Sequence, residues 1–243
     1  MKSHRTMELL APAGSFDAAR AAVNAGADAV YMGGPLFSAR AYAESSRDGA
    51  ASGRAMAAGA GVDPERAEDM LMEALGFCHL RGVRVYMTLN TLMKDREMEM
   101  VGDYLTPYYE AGLDGVIIQD MGLLGYVRKH FPGLPLHAST QMTVTGPYMA
   151  RMLRDYGVER VVPARELDLK EIRAIADIPG LSVEVFAHGA LCYCYSGQCL
   201  MSSCIGGRSG NRGRCAGSCR LPYDGDRYLL SMKDLNTLQS LPE

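Results

Sequence analysis

Six of the seven cysteines fall in one stretch, Cys192-x-Cys194-x4-Cys199-x4-Cys204-x10-Cys215-x3-Cys219. Thiols this crowded can pair as disulfides, hold a metal, exchange electrons or supply a nucleophile. Disulfides fit poorly: an odd count leaves one thiol over, and the chain reads as cytoplasmic, where thiols stay reduced. A zinc ribbon wants paired C-x2-C knuckles and a thioredoxin-type centre wants C-x-x-C, and neither occurs. The C-x3-C-x2-C spacing of radical enzymes fails as well, because Cys219 has no partner three residues on. Loose spacing over a long loop still lets four thiolates surround a cubane, which takes up more volume than one ion. Iron–sulfur, zinc and unligated thiols all stay open on spacing alone.

The segment GGRSGNRGR lies between the thiols, and its glycines let backbone fold closely around a cofactor. Arg208, Arg212, Arg214 and Arg220 are candidates to meet phosphates or a carboxylate substrate; the plainer reading is a solvated loop. No P-loop, G-x-S-x-G elbow or H-E-x-x-H occurs, so no conventional serine or zinc protease site is written in the chain.

A second set of polar residues sits where strands are expected to end: Asn90, Gln119 with Asp120, Ser139 with Gln141, Arg165 with Glu166, and His188. Loop starts favour such side chains anyway. Carboxylates, an arginine and a histidine converging on one rim would nevertheless make a polar pocket. We take Glu184, His188, Arg165, Glu166 and Asp120 as catalytic candidates and Gln141 as a substrate contact. Glu184 alternates with Val183 and Val185, so it can point inward, where a charge needs a partner; Arg165 is the candidate. His188, four residues before Cys192, is a ligand or proton donor unless it is a plain loop histidine. Cys78 falls on an apolar pattern with Leu71, Ala74 and Leu75 and belongs to the core, and neighbouring His79 is structural.

The elements that must position these residues alternate. Strand patterns occur at MELLAPAG, ADAVYMGG, VRVYMTLN, LDGVIIQD, LPLHAST, VERVVPARE and LSVEVFAHG, with helical patterns between. Ser15 is an N-cap for the first helix, whose face is Phe16, Ala19, Ala22 and Val23. The spacing is that of parallel βαβ units, and runs such as VVPA are apolar throughout, as in strands covered on both faces. A doubly wound sheet and a (β/α)8 barrel both fit. The repeating unit and the lack of G-x-G-x-x-G after the first strand favour the barrel. Seven units precede the cysteines and YLLSMKDL is a weak further strand, so the expected barrel is incomplete and the chain truncated. The expected organisation is a barrel over 7–191 with an inserted flexible loop at about 44–64. A Cys-rich segment over 192–222 and a barrel remnant over 223–243 follow. A hydrophobic share of 48% supports a sizeable core, the net charge of -3 does not announce a nucleic-acid binder, and no apolar run is long enough to span a membrane.

The stretch EVFAHGALCYCYSGQCLMSS resembles the signature of the collagenase-like peptidases known as family U-32, at Glu184, Phe186, Gly189, Ala190, Leu191, Cys192, Gly197, Cys199 and Ser202. ELLAPAG, AVYMGG, NTLMKD and GRCAGSCRLPY are similar to the same family, so the resemblance covers nearly the whole chain. It implies a (β/α) barrel carrying a [4Fe–4S] cluster, with Cys192, Cys199 and Cys215 as ligands and Cys219 as the fourth. Zinc is the alternative. Many relatives have cysteine where Asn236 stands. The resemblance also implies oxygen-independent hydroxylation of a tRNA wobble uridine with prephenate, of a ribosomal RNA cytidine, or of ubiquinone precursors. RNA is then the expected partner, with a related protein chain as a possible second. The alternatives are proteolysis, as the family name states, or a non-catalytic cluster-bearing subunit.

Overall fold

A computed structural model describes residues 7–34, 36–38, 64–207, 209–212, 215, 217–223, 230 and 234–237. The expected insertion, except Pro64, and both Arg208 and Arg214 lie outside the described residues.

Strands and helices alternate as β1 (Leu10–Pro12), α1 (Phe16–Asn24), β2 (Ala29–Gly33), α2 (Pro64–His79), β3 (Arg84–Leu89), α3 (Asp95–Glu110) and β4 (Gly115–Ile118). They continue as α4 (Met121–His130), β5 (Leu136–Ala138), α5 (Pro147–Asp155), β6 (Arg160–Val161), α6 (Leu169–Ala176) and β7 (Ser182–Val183). All seven strands form one parallel sheet in sequential order, the arrangement of an incomplete (β/α)8 barrel. The helix starts obey local chemistry. Ser15 accepts from the Ala18 N–H at 3.2 Å, and Asp168 and Glu171 reciprocate across the first turn of α6.

Side-chain alternation along the strands builds two separate packing layers. Val30, Met32, Val85, Met87, Val116, Ile118, Leu136, Ala138 and Val161 pack against the helices in the large outer core, which also takes Cys78 at 0% exposure. Ala29, Tyr86 and Ile117, with Leu10 and Tyr31, form a small cluster of their own on the concave face. Most of the remaining concave side is polar. Arg160 at the start of β6 reaches back to Glu8, just before β1, at 2.6 Å, and Glu8 also takes Arg84 at 3.3 Å and the Tyr86 hydroxyl at 2.8 Å. This joins the first and sixth strands across the sheet. Tyr86 stacks edge-on against His137, which is 4% exposed.

The structure corrects the expected partner of Glu184. Its nearest cation is Arg160, at 3.7 Å, because Arg160 begins β6 on the concave face whereas Arg165 lies beyond β6 on the rim. Arg160 is already bound closely to Glu8, so it stands outside hydrogen-bond distance of Glu184. Burial therefore dominates and pushes the Glu184 carboxyl up to about 7, against the pull of Arg160. Burial, followed by Arg160 and Arg84, pulls His137 down to about 3.

The last strand pattern also divides. Ser182–Val183 stays in the sheet, while His188–Ala190 leaves it as β8 and pairs antiparallel with β9 (Asp234–Asn236). His188 is thus opposite Asn236, in a two-stranded ribbon rather than at the end of a barrel strand. Thr237 extends the ribbon through its N–H to the Ala187 carbonyl at 2.9 Å. The ribbon clasps the chain on either side of the cysteines, so the thiol segment is a loop closed at its base.

The Glu184 environment gives a pH signature. A carboxyl raised from 4.5 to about 7 on folding makes the folded state bind the extra proton. The contribution of this group to stability is greatest below 4.5 and falls as pH rises to about 7, by about 3 kcal/mol. The stability difference between wild type and Glu184→Gln, from urea melts, should decline over that window. His137 contributes a rise between about 3 and 6.5 in both proteins, which cancels in the difference. A pH-independent difference contradicts the buried-carboxyl account.

Candidate active site

The thiol segment is fastened over the C-terminal ends of the strands, the rim where barrel enzymes build their sites. The main fastening is Ser196, at 0% exposure. Its N–H and hydroxyl both donate to Glu166, at 3.0 and 3.2 Å, and the hydroxyl oxygen accepts from the Arg165 N–H at 3.2 Å. Its carbonyl accepts from the Thr143 hydroxyl at 2.7 Å. Two residues on, Gln198 donates to the same Thr143 hydroxyl at 3.3 Å. Between them Gly197, at φ +70, lies so close to the Gln141 main chain that a Cβ would stand 2.0 Å from its carbonyl oxygen. Only glycine fits there on both counts.

A second fastening lies across the mouth. Arg212 grips Glu97 near the start of α3 at 2.5 Å and donates to the Leu92 carbonyl at 3.1 Å, while the Leu92 N–H donates to Asn211 at 3.0 Å. Burial tends to raise the Glu97 carboxyl. The hydrogen bonds from Arg212 and the Lys94 N–H outweigh it and hold Glu97 below its usual range. Arg220 braces the segment internally by donating to the Leu191 carbonyl at 3.3 Å. A helix that sequence reading did not anticipate, α7 (Met201–Gly206), lies within the segment.

The fastenings gather thiols. Burial pushes the Cys194 thiol up, and its hydrogen-bonded neighbour Cys199, with Cys192 and Cys219, pushes it the same way. Cys215 packs beside Gly210, near the Cys199 carbonyl, and Cys204 is exposed on α7. Among the described residues no three Cys, His, Asp or Glu side chains are set to hold one metal ion. All seven cysteines are free.

The candidates therefore divide by what their polar atoms already do. Asp120 caps α4 by accepting from the Leu123 N–H at 2.9 Å and takes the Met93 N–H at 3.2 Å. Glu166 is engaged by Ser196 and Arg212 by Glu97. These three hold the architecture of the mouth. Glu184 Oε2, Gln141 Oε1 and Arg165 Nε are buried without a hydrogen-bond partner, and so is Gln119 Oε1. His188 is exposed on the ribbon. Sequence reading missed Ser196, Thr143, Arg160 and the place of Cys194 beside Cys199. The one available signal was Gly197, which sits in the quoted signature next to the buried serine.

Fold and site together define a parallel (β/α) barrel whose C-terminal mouth is capped by a thiol-rich segment. The sequence model of peptidase family U32 matches residues 14–61 and 65–243, and the chain belongs to that family. It is 41% identical over 96% of its length to the 23S rRNA 5-hydroxycytidine C2501 synthase of Escherichia coli strain K12, spanning 34% of that protein. It is 34% identical over 89% of its length to tRNA hydroxylation protein P of the same strain, spanning 44% of it. The chain thus covers less than half of either relative. The solved structure of the U32 peptidase Mk0906 shares the fold, with TM-score 0.57 at 14% identity over 78% of this chain and 72% of that one.

The close approach of Gly197 is directly testable. Gly197→Ala should lift the turn carrying Ser196 and expose Cys194 and Cys199, raising their reaction rate with a thiol reagent about tenfold in the metal-free protein. Glu166→Gln should act in the same direction through the loss of a charge-assisted bond. Unchanged thiol rates in both variants contradict the fastening.

Proposed function

We propose that this chain is the barrel-and-thiol portion of an iron–sulfur enzyme that hydroxylates a pyrimidine base of tRNA or ribosomal RNA without molecular oxygen. The observation that carries the reading is the 41% identity, over 96% of the chain, to a relative named as an rRNA hydroxycytidine synthase. The cap over a mouth with unpartnered polar atoms supports it, since a base taken out of its stack needs such a pocket.

Cys192, Cys199 and Cys219 lie close enough to act electrostatically on Cys194, and loose spacing over a loop lets four thiolates surround a cubane. Cys192, Cys199, Cys215 and Cys219 would hold a [4Fe–4S] cluster, with Cys194 a rival for the last place. When bound, the cluster would supply electron transfer beside the substrate. Prephenate is the co-substrate that the resemblance implies. Within this reading Arg165 and Gln141 orient the substrate, and Glu184 holds or releases a proton on the floor of the mouth. No helix among the described residues is long and apolar enough to cross a membrane.

Proteolysis is the second reading, favoured by the description of the family as peptidases. Mass spectrometry of nucleosides from total tRNA and rRNA separates the two. Cells lacking the gene should lose one hydroxylated pyrimidine, regained with the wild-type gene but not with Cys199→Ala. Unchanged nucleosides, together with gelatin cleavage that survives Cys192→Ala, would place the protein among peptidases instead.

A further inference from the structure

Three buried side-chain atoms without partners come from the ends of three adjacent strands: Gln119 Oε1 after β4, Gln141 Oε1 after β5 and Arg165 Nε after β6. A buried polar atom left without a hydrogen bond is destabilising. Three under one cap mark a place that a ligand completes.

The chemistry of these atoms is fixed by their neighbours. Gln119 is 7% exposed, and its amide nitrogen donates to the Gln141 main-chain carbonyl at 3.4 Å. Turning the amide over would set two oxygens against each other. Gln119 Oε1 is therefore held as an acceptor, in a position where nothing in the protein supplies a donor. The Gln141 carbonyl is in turn pinned by Gly197, so the cap itself keeps Gln119 oriented. Arg165 offers the opposite chemistry, because Nε–H can only donate, and its own N–H is engaged with Ser196. An acceptor after β4 and a donor after β6, with β5 between them, match an edge that carries an N–H donor and a carbonyl acceptor. Cytosine presents its 4-amino group and C2 carbonyl at the two ends of its pairing edge, uracil presents N3–H between two carbonyls, and extrusion of the base exposes either edge.

We propose that Gln119 is a specificity-determining residue that accepts a hydrogen bond from the N–H of the substrate pyrimidine's pairing edge, while Arg165 donates to the ring carbonyl. This rests on the RNA-modifying reading and adds to it the residues that recognise the base.

The test uses the full-length protein and nine-residue oligoriboadenylates whose central position is cytidine, uridine or an abasic site, with affinity measured by fluorescence anisotropy. Wild type should bind the pyrimidine-centred oligomers about tenfold more tightly than the abasic one. Gln119→Met, close in shape and without the acceptor, should bring that ratio near one while leaving abasic binding unchanged. If Gln119→Met does not melt like wild type, Arg165→Met takes its place, since it removes the donor to the ring carbonyl and should lower the ratio as well. A ratio that stays at the wild-type value in a folded Gln119→Met or Arg165→Met protein overturns the proposal. The nucleoside analysis keeps the two claims apart. If deletion removes a hydroxylated pyrimidine and Gln119→Met restores it fully with the wild-type binding ratio, this inference fails and the RNA reading stands. If deletion changes no nucleoside, the RNA reading fails first.

Discussion

The buried serine between two cysteines is the constraint on which the mouth depends. Ser196 has its N–H, hydroxyl and carbonyl all bonded to the barrel rim, through Glu166, Arg165 and Thr143. One residue thereby fixes the segment's height and rotation against the ends of β5 and β6, and Gly197 permits the contact by carrying no side chain. Removing the hydroxyl would leave the Arg165 N–H short of an acceptor in a site that excludes water, a loss of about 1–3 kcal/mol. The Arg212–Glu97 pair holds the far side, so Cys199 and Cys204 lie on a stretch fixed at both ends.

Below the cap, the concave face departs from the aliphatic layers that fill most barrels. Glu8, Arg84, Arg160, Tyr86 and His137 occupy it instead, with only a small apolar cluster around Tyr86. The Glu8–Arg160 pair, each side chain 15% exposed, adds little net stability, but taking out one partner is costly, of the order of 3–5 kcal/mol. Arg160 also settles how Glu184 behaves: by committing itself to Glu8, it leaves Glu184 buried, weakly paired and ready to carry a proton near neutrality. The stabilising network and the chemically available group thus share one guanidinium.

The seven parallel strands and six barrel helices were legible because each carries a local pattern: apolar runs, the Ser15 cap, and the regular return of the unit. The core place of Cys78 was legible for the same reason. What escaped depends on contacts between residues distant in sequence. Arg160 and Glu8 are 152 positions apart, and no periodicity pairs them. Asp120 and Glu166 look like catalytic carboxylates in sequence, yet one caps a helix and the other seats a serine, because the deciding groups are backbone N–H donors that sequence does not display. The splitting of LSVEVFAHG into β7 and β8 was hidden too, since His188–Ala190 is stabilised by a strand more than forty residues later.

The central claim is that a rim-fastened segment brings its sulfurs together around an inorganic centre at the mouth of the barrel. Iron and sulfide analysis with electron paramagnetic resonance, on protein purified without air and reconstituted, tests this most directly. The account predicts about four irons and four sulfides per chain and a reduced-cluster signal. Stoichiometric zinc, or no bound iron after reconstitution of the folded protein, would contradict it.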